Sequence, residues 1–153
     1  MSKVFSLAGL RLGWMVAPTE VIQKAYDMRH YNMISTGMLA EAIAAKVLKN
    51  KDKILGRNLS IVRKNIEVLD RWVSNEPHIH YIKPKAGTTA LLYYDMDISS
   101  TQLCHDMMAE KALMLLPGDC FDMGQCLRIG YAFDSRELEA GLLVFSEFLR
   151  KYD

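Results

Sequence analysis

Apolar side chains recur along this chain at two spacings, and each spacing predicts a different kind of element. Between Asp52 and about Ser74, Leu55, Leu59, Val62, Ile66, Leu69 and Val73 return every third or fourth position, which predicts one long amphipathic helix. The Ala-rich stretch Met38 to Leu48 predicts a second helix, and Val21 to about Arg29 a third. Polar Lys49-Asn50-Lys51-Asp52 and Ser35-Thr36-Gly37 interrupt these patterns. Thr19 is a candidate N-cap, with Glu20 in the positive first turn. Upstream the period falls to two. Leu10, Leu12, Trp14 and Val16 alternate with Arg11, Gly13, Met15 and Ala17, which predicts a strand within residues 4–17, stopped by Pro18.

Beyond Asn75-Glu76-Pro77 the elements shorten. Strands are predicted over Ile79–Ile82, Thr88–Tyr94, Leu113–Leu116 and Leu127–Ala132, with turns at Pro84–Gly87 and Pro117-Gly118. Ser99 or Ser100 caps a helix to about Lys111, and Asp134 or Ser135 caps a last helix ending near Arg150-Lys151. Strand, strand, helix, strand, strand, helix is the order of a compact α+β unit, one small sheet with helices packed on it. The earlier residues hold one strong strand with no evident partner, so they are expected to belong to a different body.

Composition narrows the function classes. With 153 residues, 50% hydrophobic, 24% charged and a formal net charge of +1, the chain suits a packed domain, or a small domain joined to a piece of another. It carries no basic surplus that would call for nucleic acid or an anionic membrane. No apolar run approaches the ~20 residues of a membrane span, and no signal peptide is recognisable. Cys104, Cys120 and Cys126 are odd in number and match no zinc or redox spacing, so they are expected to be reduced thiols of a cytoplasmic protein, used as small buried hydrophobes. The methionines are expected to fill the core. His78 and His80 are read as rim histidines, Asp95 and Asp97 as a solvated turn and cap, and the adjacent pair Cys104-His105 as unable to form a dyad. No metal site is expected.

One segment carries chemistry. Lys3 heads a short loop, and Arg11 follows eight positions later between Gly9 and Gly13. A neutral lysine forms a Schiff base with a carbonyl, and a guanidinium offers a fixed fork for phosphate. The two glycines allow backbone to approach closely. Taken alone, the same residues are also compatible with ordinary surface charges.

The string Ser2-Lys3-Val4-Phe5-Ser6-Leu7-Ala8-Gly9-Leu10-Arg11-Leu12-Gly13-Trp14 resembles the cofactor-lysine segment of class I/II aminotransferases, the fold-type I enzymes that depend on pyridoxal 5'-phosphate (PLP). That segment reads Ser-x-Ser-Lys, a short loop, then Gly-x-Arg-x-Gly. The resemblance places Lys3 on the lysine that holds PLP as an internal aldimine. It places Arg11 on the arginine that holds the phosphate, and Ser2 on the serine beside the lysine. Lys83-Pro84-Lys85-Ala86-Gly87-Thr88 is similar to the turn that opens the family's small-domain sheet. Leu116-Pro117-Gly118-Asp119-Cys120-Phe121 is similar to its Pro-Gly-x-x-Phe segment, and Leu127-Arg128-Ile129-Gly130-Tyr131-Ala132 to its Leu-Arg-(Ile/Leu)-x-(Phe/Tyr)-Ala strand. The arginine of that strand pairs with the substrate α-carboxylate, which makes Arg128 the substrate-binding candidate.

The resemblance implies an α/β fold of the fold-type I PLP transferases. Residues 1–50 would be the C-terminal remnant of the PLP-binding large domain, 51–74 an interdomain helix, and 75–153 the small α+β C-terminal domain. It implies transfer of an amino group between an amino acid and a 2-oxo acid, through Lys3, in a homodimeric protein. Related readings share the same lysine and arginines: a PLP carbon–sulfur lyase or synthase, or an aminotransferase-like sensing domain of a transcription regulator. The family's second phosphate serine, its pyridinium-pairing aspartate, its asparagine and tyrosine to the cofactor oxygen, its stacking aromatic and its Gly-rich helix start have no matching positions here. The 153-residue chain alone is therefore expected to be inactive and to bind PLP poorly. The strand around Arg11–Ala17 would expose both edges, so residues 1–18 are expected to self-associate or to lack order.

Overall fold

The computed structural model describes residues 1–153, which form two compact units, Met1–Asn58 and Leu59–Asp153. Unit 1 opens with a 3-10 turn at Ala8–Leu10, followed by helices α1 (Thr19–Arg29) and α2 (Met38–Lys49) and the start of α3 (Lys51–Val73), which runs on into unit 2. Thr19 is the first residue of α1 rather than its cap. Pro18 holds the N-cap position without a side-chain bond, its fixed φ leading into the first turn. The strand expected within residues 4–17 is absent. Residues 2–6 form turns, and residues 11–18 run in no sheet, because alternation makes a strand only where a ladder partner meets the backbone. Among the hydrophobic residues of unit 1 only Ala44 is buried, while Val16 is 90% exposed and Tyr31 85%. This unit has helices but no core of its own.

Unit 2 is built around a four-stranded sheet in the order β1-β2-β4-β3, antiparallel throughout: β1 (Ile79–Tyr81), β2 (Thr89–Tyr94), β3 (Leu116–Pro117) and β4 (Cys126–Gly130). Ala90, Leu92 and Tyr94 of β2 and Leu127 and Ile129 of β4 point to one face. There they pack against Val68 and Leu69 of α3, Leu103 and Met107 of α4 (Ser100–Lys111), and Leu138, Leu142, Phe145, Phe148 and Leu149 of α5 (Ser135–Leu149). The apolar stripe of α3 is put to use in its second half: Leu69 is fully buried, whereas Leu59 is 48% exposed. Both caps fall as the polar residues predict. The Ser99 hydroxyl accepts from Gln102 N–H at 3.2 Å, and the Asp134 carboxylate from Arg136 N–H at 2.9 Å.

Two departures have local causes. The third strand was expected over Leu113–Leu116 but forms only at Leu116–Pro117. Helix α4 ends on Ala112 in the left-handed region (φ +53°), and Leu113 N–H bonds back to Met107 O at 3.3 Å. That wrap turns Leu113 and Leu115 into the core instead of along the sheet. The other departure is Asn65, a polar residue on the buried face of α3. Its Nδ2 donates to Tyr131 O at 2.7 Å and Phe133 O at 2.9 Å, and its Oδ1 accepts from the Ser135 hydroxyl at 2.7 Å. One side chain thus satisfies the chain between β4 and α5, where the backbone carbonyls have left the ladder.

Two outcomes follow for stability. Asn65→Ala leaves those carbonyls buried without donors and lowers the unfolding free energy by about 2–3 kcal/mol in urea denaturation. Asn65→Asp costs more, since a carboxylate cannot donate to carbonyls, and an unchanged midpoint in either variant would refute the role. His78 Nδ1 lies 2.9 Å from Asp95 Oδ1 and Nε2 lies 3.3 Å from Asp153 Oδ1. The hydrogen bond to Asp95, above all, raises its pKa over the ordinary 6.5. A raised folded-state pKa contributes stability that is complete below 6.5 and fades as pH climbs through the folded value. The urea midpoint should therefore fall as pH rises above 6.5, and His78→Gln should flatten that part of the profile.

Candidate functional site

The residues singled out from the sequence divide between the units: Ser2, Lys3 and Arg11 in unit 1, Arg128 in unit 2. In unit 1 the backbone from Met1 to Arg11 coils through consecutive turns. Phe5 and Leu7 N–H donate to Met1 O at 3.3 Å, Ser6 N–H to Lys3 O at 3.2 Å, and Arg11 N–H to Ala8 O at 3.3 Å. Ser6 (φ +55°) and Arg11 (φ +51°) take left-handed conformations within this coil. Asn58 Nδ2 donates to Val4 O at 2.9 Å and ties the coil to α3.

The Lys3 side chain is exposed and forms neither an ion pair nor a hydrogen bond. Arg11 Nη1 donates to Ala8 O at 3.0 Å, which leaves the other guanidinium donors free. A Cβ added at Gly9 or Gly13 would meet nothing within 4 Å, so the backbone on either side of Arg11 is open to approach. An unpaired amine and a guanidinium with spare donors, joined by an open backbone coil, are the chemistry an aldehyde-bearing phosphate compound requires. The donor set fits PLP in that sense.

In unit 2, Arg128 projects from β4 on the face of the sheet opposite the helices, across from Leu91 of β2 and Leu116 of β3. It is half-buried, and its guanidinium makes no hydrogen bond and no ion pair; its carbon stands 4.7 Å from the centre of the Phe121 ring. Beside it, β4, residues 113–116 and α5 enclose a cavity of about 410 Å³, lined mainly by apolar side chains such as Leu116, Ile129, Phe133 and Leu142.

Phe121 is held by a lock that the sequence motif does not announce. It belongs to a 3-10 turn, Gly118–Phe121. Asp119 Oδ2 accepts from Thr101 N–H at 3.0 Å and from the Thr101 hydroxyl at 2.7 Å, while Asp119 N–H donates to the Ser100 hydroxyl at 3.0 Å. These bonds, the Thr101 hydroxyl first, keep the Asp119 carboxyl below the usual carboxylate range. Gly118 is buried, and a Cβ there would stand 2.5 Å from Gly124 O and 2.6 Å from Cys126 Sγ, so no other residue fits. The similar turn at Lys83–Thr88 has a matching tie: Gly87 takes φ +98°, and its carbonyl accepts from the Tyr131 hydroxyl at 3.1 Å.

The remaining candidates resolve simply. Cys126 is buried and Cys104 half-buried, with burial pushing the Cys104 thiol up to about 11, but Cys120, in the 3-10 turn, is exposed, against expectation. His78 pairs with Asp95, and His80 stacks on Tyr93 with ring centres 5.6 Å apart. Gly118→Ala should destabilise the protein by about 1–3 kcal/mol in denaturant unfolding, since the neighbouring backbone must move to admit the methyl. A variant as stable as the parent would contradict the close approach.

Comparison with known proteins places this geometry. The chain is 31% identical over 150 residues to capreomycidine synthase of Streptomyces vinaceus, matching 97% of this chain and 39% of that protein. It is 26% identical to an aspartate aminotransferase of Pyrococcus abyssi, over 98% of this chain and 40% of the relative. The solved structure of the PLP-dependent cyclase OrfR superposes with a TM-score of 0.92 at 26% identity, covering 99% of this chain and 42% of that one. The chain thus spans about two-fifths of the length of these proteins. The family profile for aminotransferase class I and II matches residues 1–143. The chain belongs to the class I and II aminotransferases, the fold-type I family whose cofactor is pyridoxal 5'-phosphate.

Proposed function

We propose that this chain carries the cofactor lysine and the substrate-carboxylate arginine of a PLP-dependent enzyme that transfers an amino group between an amino acid and a 2-oxo acid. The observation that carries this reading is the state of Arg128: a half-buried arginine with no acidic partner, set between two leucines and over an aromatic ring. A cation that the protein leaves unpaired in a partly desolvated place is suited to an anionic ligand, and its planar fork matches a carboxylate in two bonds.

PLP, when bound, supplies an aldehyde and an electron sink. The Lys3 amine is the group that would attach to that aldehyde, and Lys3 Nζ, once released, the base for the substrate α-proton. The Arg11 guanidinium would bind the phosphate through the donors Ala8 O leaves free, with the Ser2 hydroxyl beside it. Arg128 would fix the substrate carboxylate and hence the direction of the α-proton. A homodimeric assembly and the amino-acid and 2-oxo-acid substrates are part of the same proposal.

A second reading, a synthase or cyclase acting on an amino acid, is favoured by the 31% identity to capreomycidine synthase and by the superposition on the cyclase OrfR. It would use the same lysine and arginines. Product analysis separates the two: amino-group transfer leaves a 2-oxo acid, and cyclisation leaves the nitrogen in the product.

The cofactor assignment is tested by incubating the purified protein with PLP, reducing with borohydride, and mapping the adduct by mass spectrometry. Labelling of Lys3 above that of the surface lysines, at low occupancy because the chain alone binds PLP poorly and lost in Lys3→Ala, is the supporting result. Labelling confined to another lysine would reject Lys3, and labelling spread over surface lysines would show that the chain holds no site of its own.

A further inference from the structure

We propose that Phe121 is a positioning residue for Arg128, holding its guanidinium as a preformed carboxylate site, and that the Ser100–Thr101–Asp119 lock sets where that ring stands; this rests on the carboxylate role proposed above for Arg128. Phe121 is 40% exposed, so burial alone does not explain an aromatic residue there. Its ring centre lies 4.7 Å from the guanidinium carbon, within cation–π range. The 3-10 turn that carries it is fixed independently of the ring. Asp119 binds the first turn of α4 through three hydrogen bonds, and Gly118 is pressed against Gly124 and Cys126.

The consequence for Arg128 is geometric. Its cross-strand neighbours are Leu91 and Leu116, and Phe121 lies against the guanidinium. None of these three side chains can accept a hydrogen bond. A flexible arginine loses side-chain freedom when it binds an anion, and a guanidinium already stacked on a fixed ring has less to lose. The ring attracts the cation through its face and leaves the N–H edge, the part that bonds a carboxylate, unoccupied.

The test follows the Arg128 Nε–H resonance by NMR in the wild-type chain, Phe121→Leu and Phe121→Tyr, titrating sodium acetate against sodium chloride at matched ionic strength. In the wild type the resonance should be ordered, displaced by the ring current, and responsive to acetate but not to chloride. Phe121→Leu should lose the displacement, lower the Nε order parameter and weaken acetate binding about two- to fivefold, the equivalent of an exposed cation–π contact. Phe121→Tyr, which keeps the ring, should restore all three. Because the ring is partly exposed, both variants should keep the parent's backbone spectrum, which separates positioning from folding. Equal acetate affinity in the wild type and Phe121→Leu would overturn the positioning role and leave Arg128 as the carboxylate residue. Absence of any acetate response at Arg128 in all three forms would overturn both.

Discussion

Unit 2 depends on the close crossing at Gly118, where a Cβ would meet nearer atoms than at any other glycine of the chain. Backbone and side-chain atoms of Gly124 and Cys126 stand where a Cβ would be, so the chain can pass from β3 through the 3-10 turn and back to β4 only with a glycine at that point. Because the passage is so close, β3 needs no more than two residues to bind β4. The turn also reaches α4, where Asp119 and the Ser100–Thr101 pair exchange hydrogen bonds. Sheet edge, helix start and the ring beneath Arg128 are thereby fixed by a single crossing of the chain. A motif that reads in sequence as a loop is in the fold a joint between three elements.

Asn65 does comparable work at the other end of β4. The core between α3, α4, α5 and the sheet is apolar, and the hydrophobic effect accounts for its formation. Apolar packing does not determine how the chain leaves β4 for α5, because carbonyls there have no ladder. Asn65 supplies two donors and one acceptor at that place, and so pins the last helix to the long one. Unit 1 has a smaller counterpart in Asn58, whose Nδ2 donates to Val4 O, while its helices present large apolar residues to the surface.

The two kinds of candidate residue are prepared in different ways. Lys3 and Arg11 lie on a coil of backbone turns, the Lys3 amine unpaired and the Arg11 guanidinium bonded only to Ala8 O. Arg128 lies on a strand, between the apolar cross-strand neighbours Leu91 and Leu116. A carboxylate-binding group gains from rigidity, because orientation is what it contributes. The role proposed for Lys3, to attach, release and move a proton, would gain from freedom of its long side chain.

Much of this was legible in the sequence. The helical period located α3, helix-forming composition located α1 and α2, and β-branched and aromatic runs located β1, β2 and β4. Polar residues at Ser99 and Asp134 marked the helix starts, since a cap is a bond between near neighbours. The period-two stretch at residues 10–17 misled for the same reason it attracted notice: alternation describes a strand's faces but says nothing about whether a partner backbone is present. Leu113 and Leu115 were apolar enough for a strand, yet the left-handed end of α4 turned them inward. What the sequence by itself determined was local: element type, caps, and the order of residues around Lys3, Arg11 and Arg128. The tertiary structure alone decided that Asn65 is a hub, that only glycine fits at position 118, and that Arg128 meets a ring and no carboxylate. Each of these depends on atoms brought together from distant parts of the chain, and sequence spacing holds no record of such meetings.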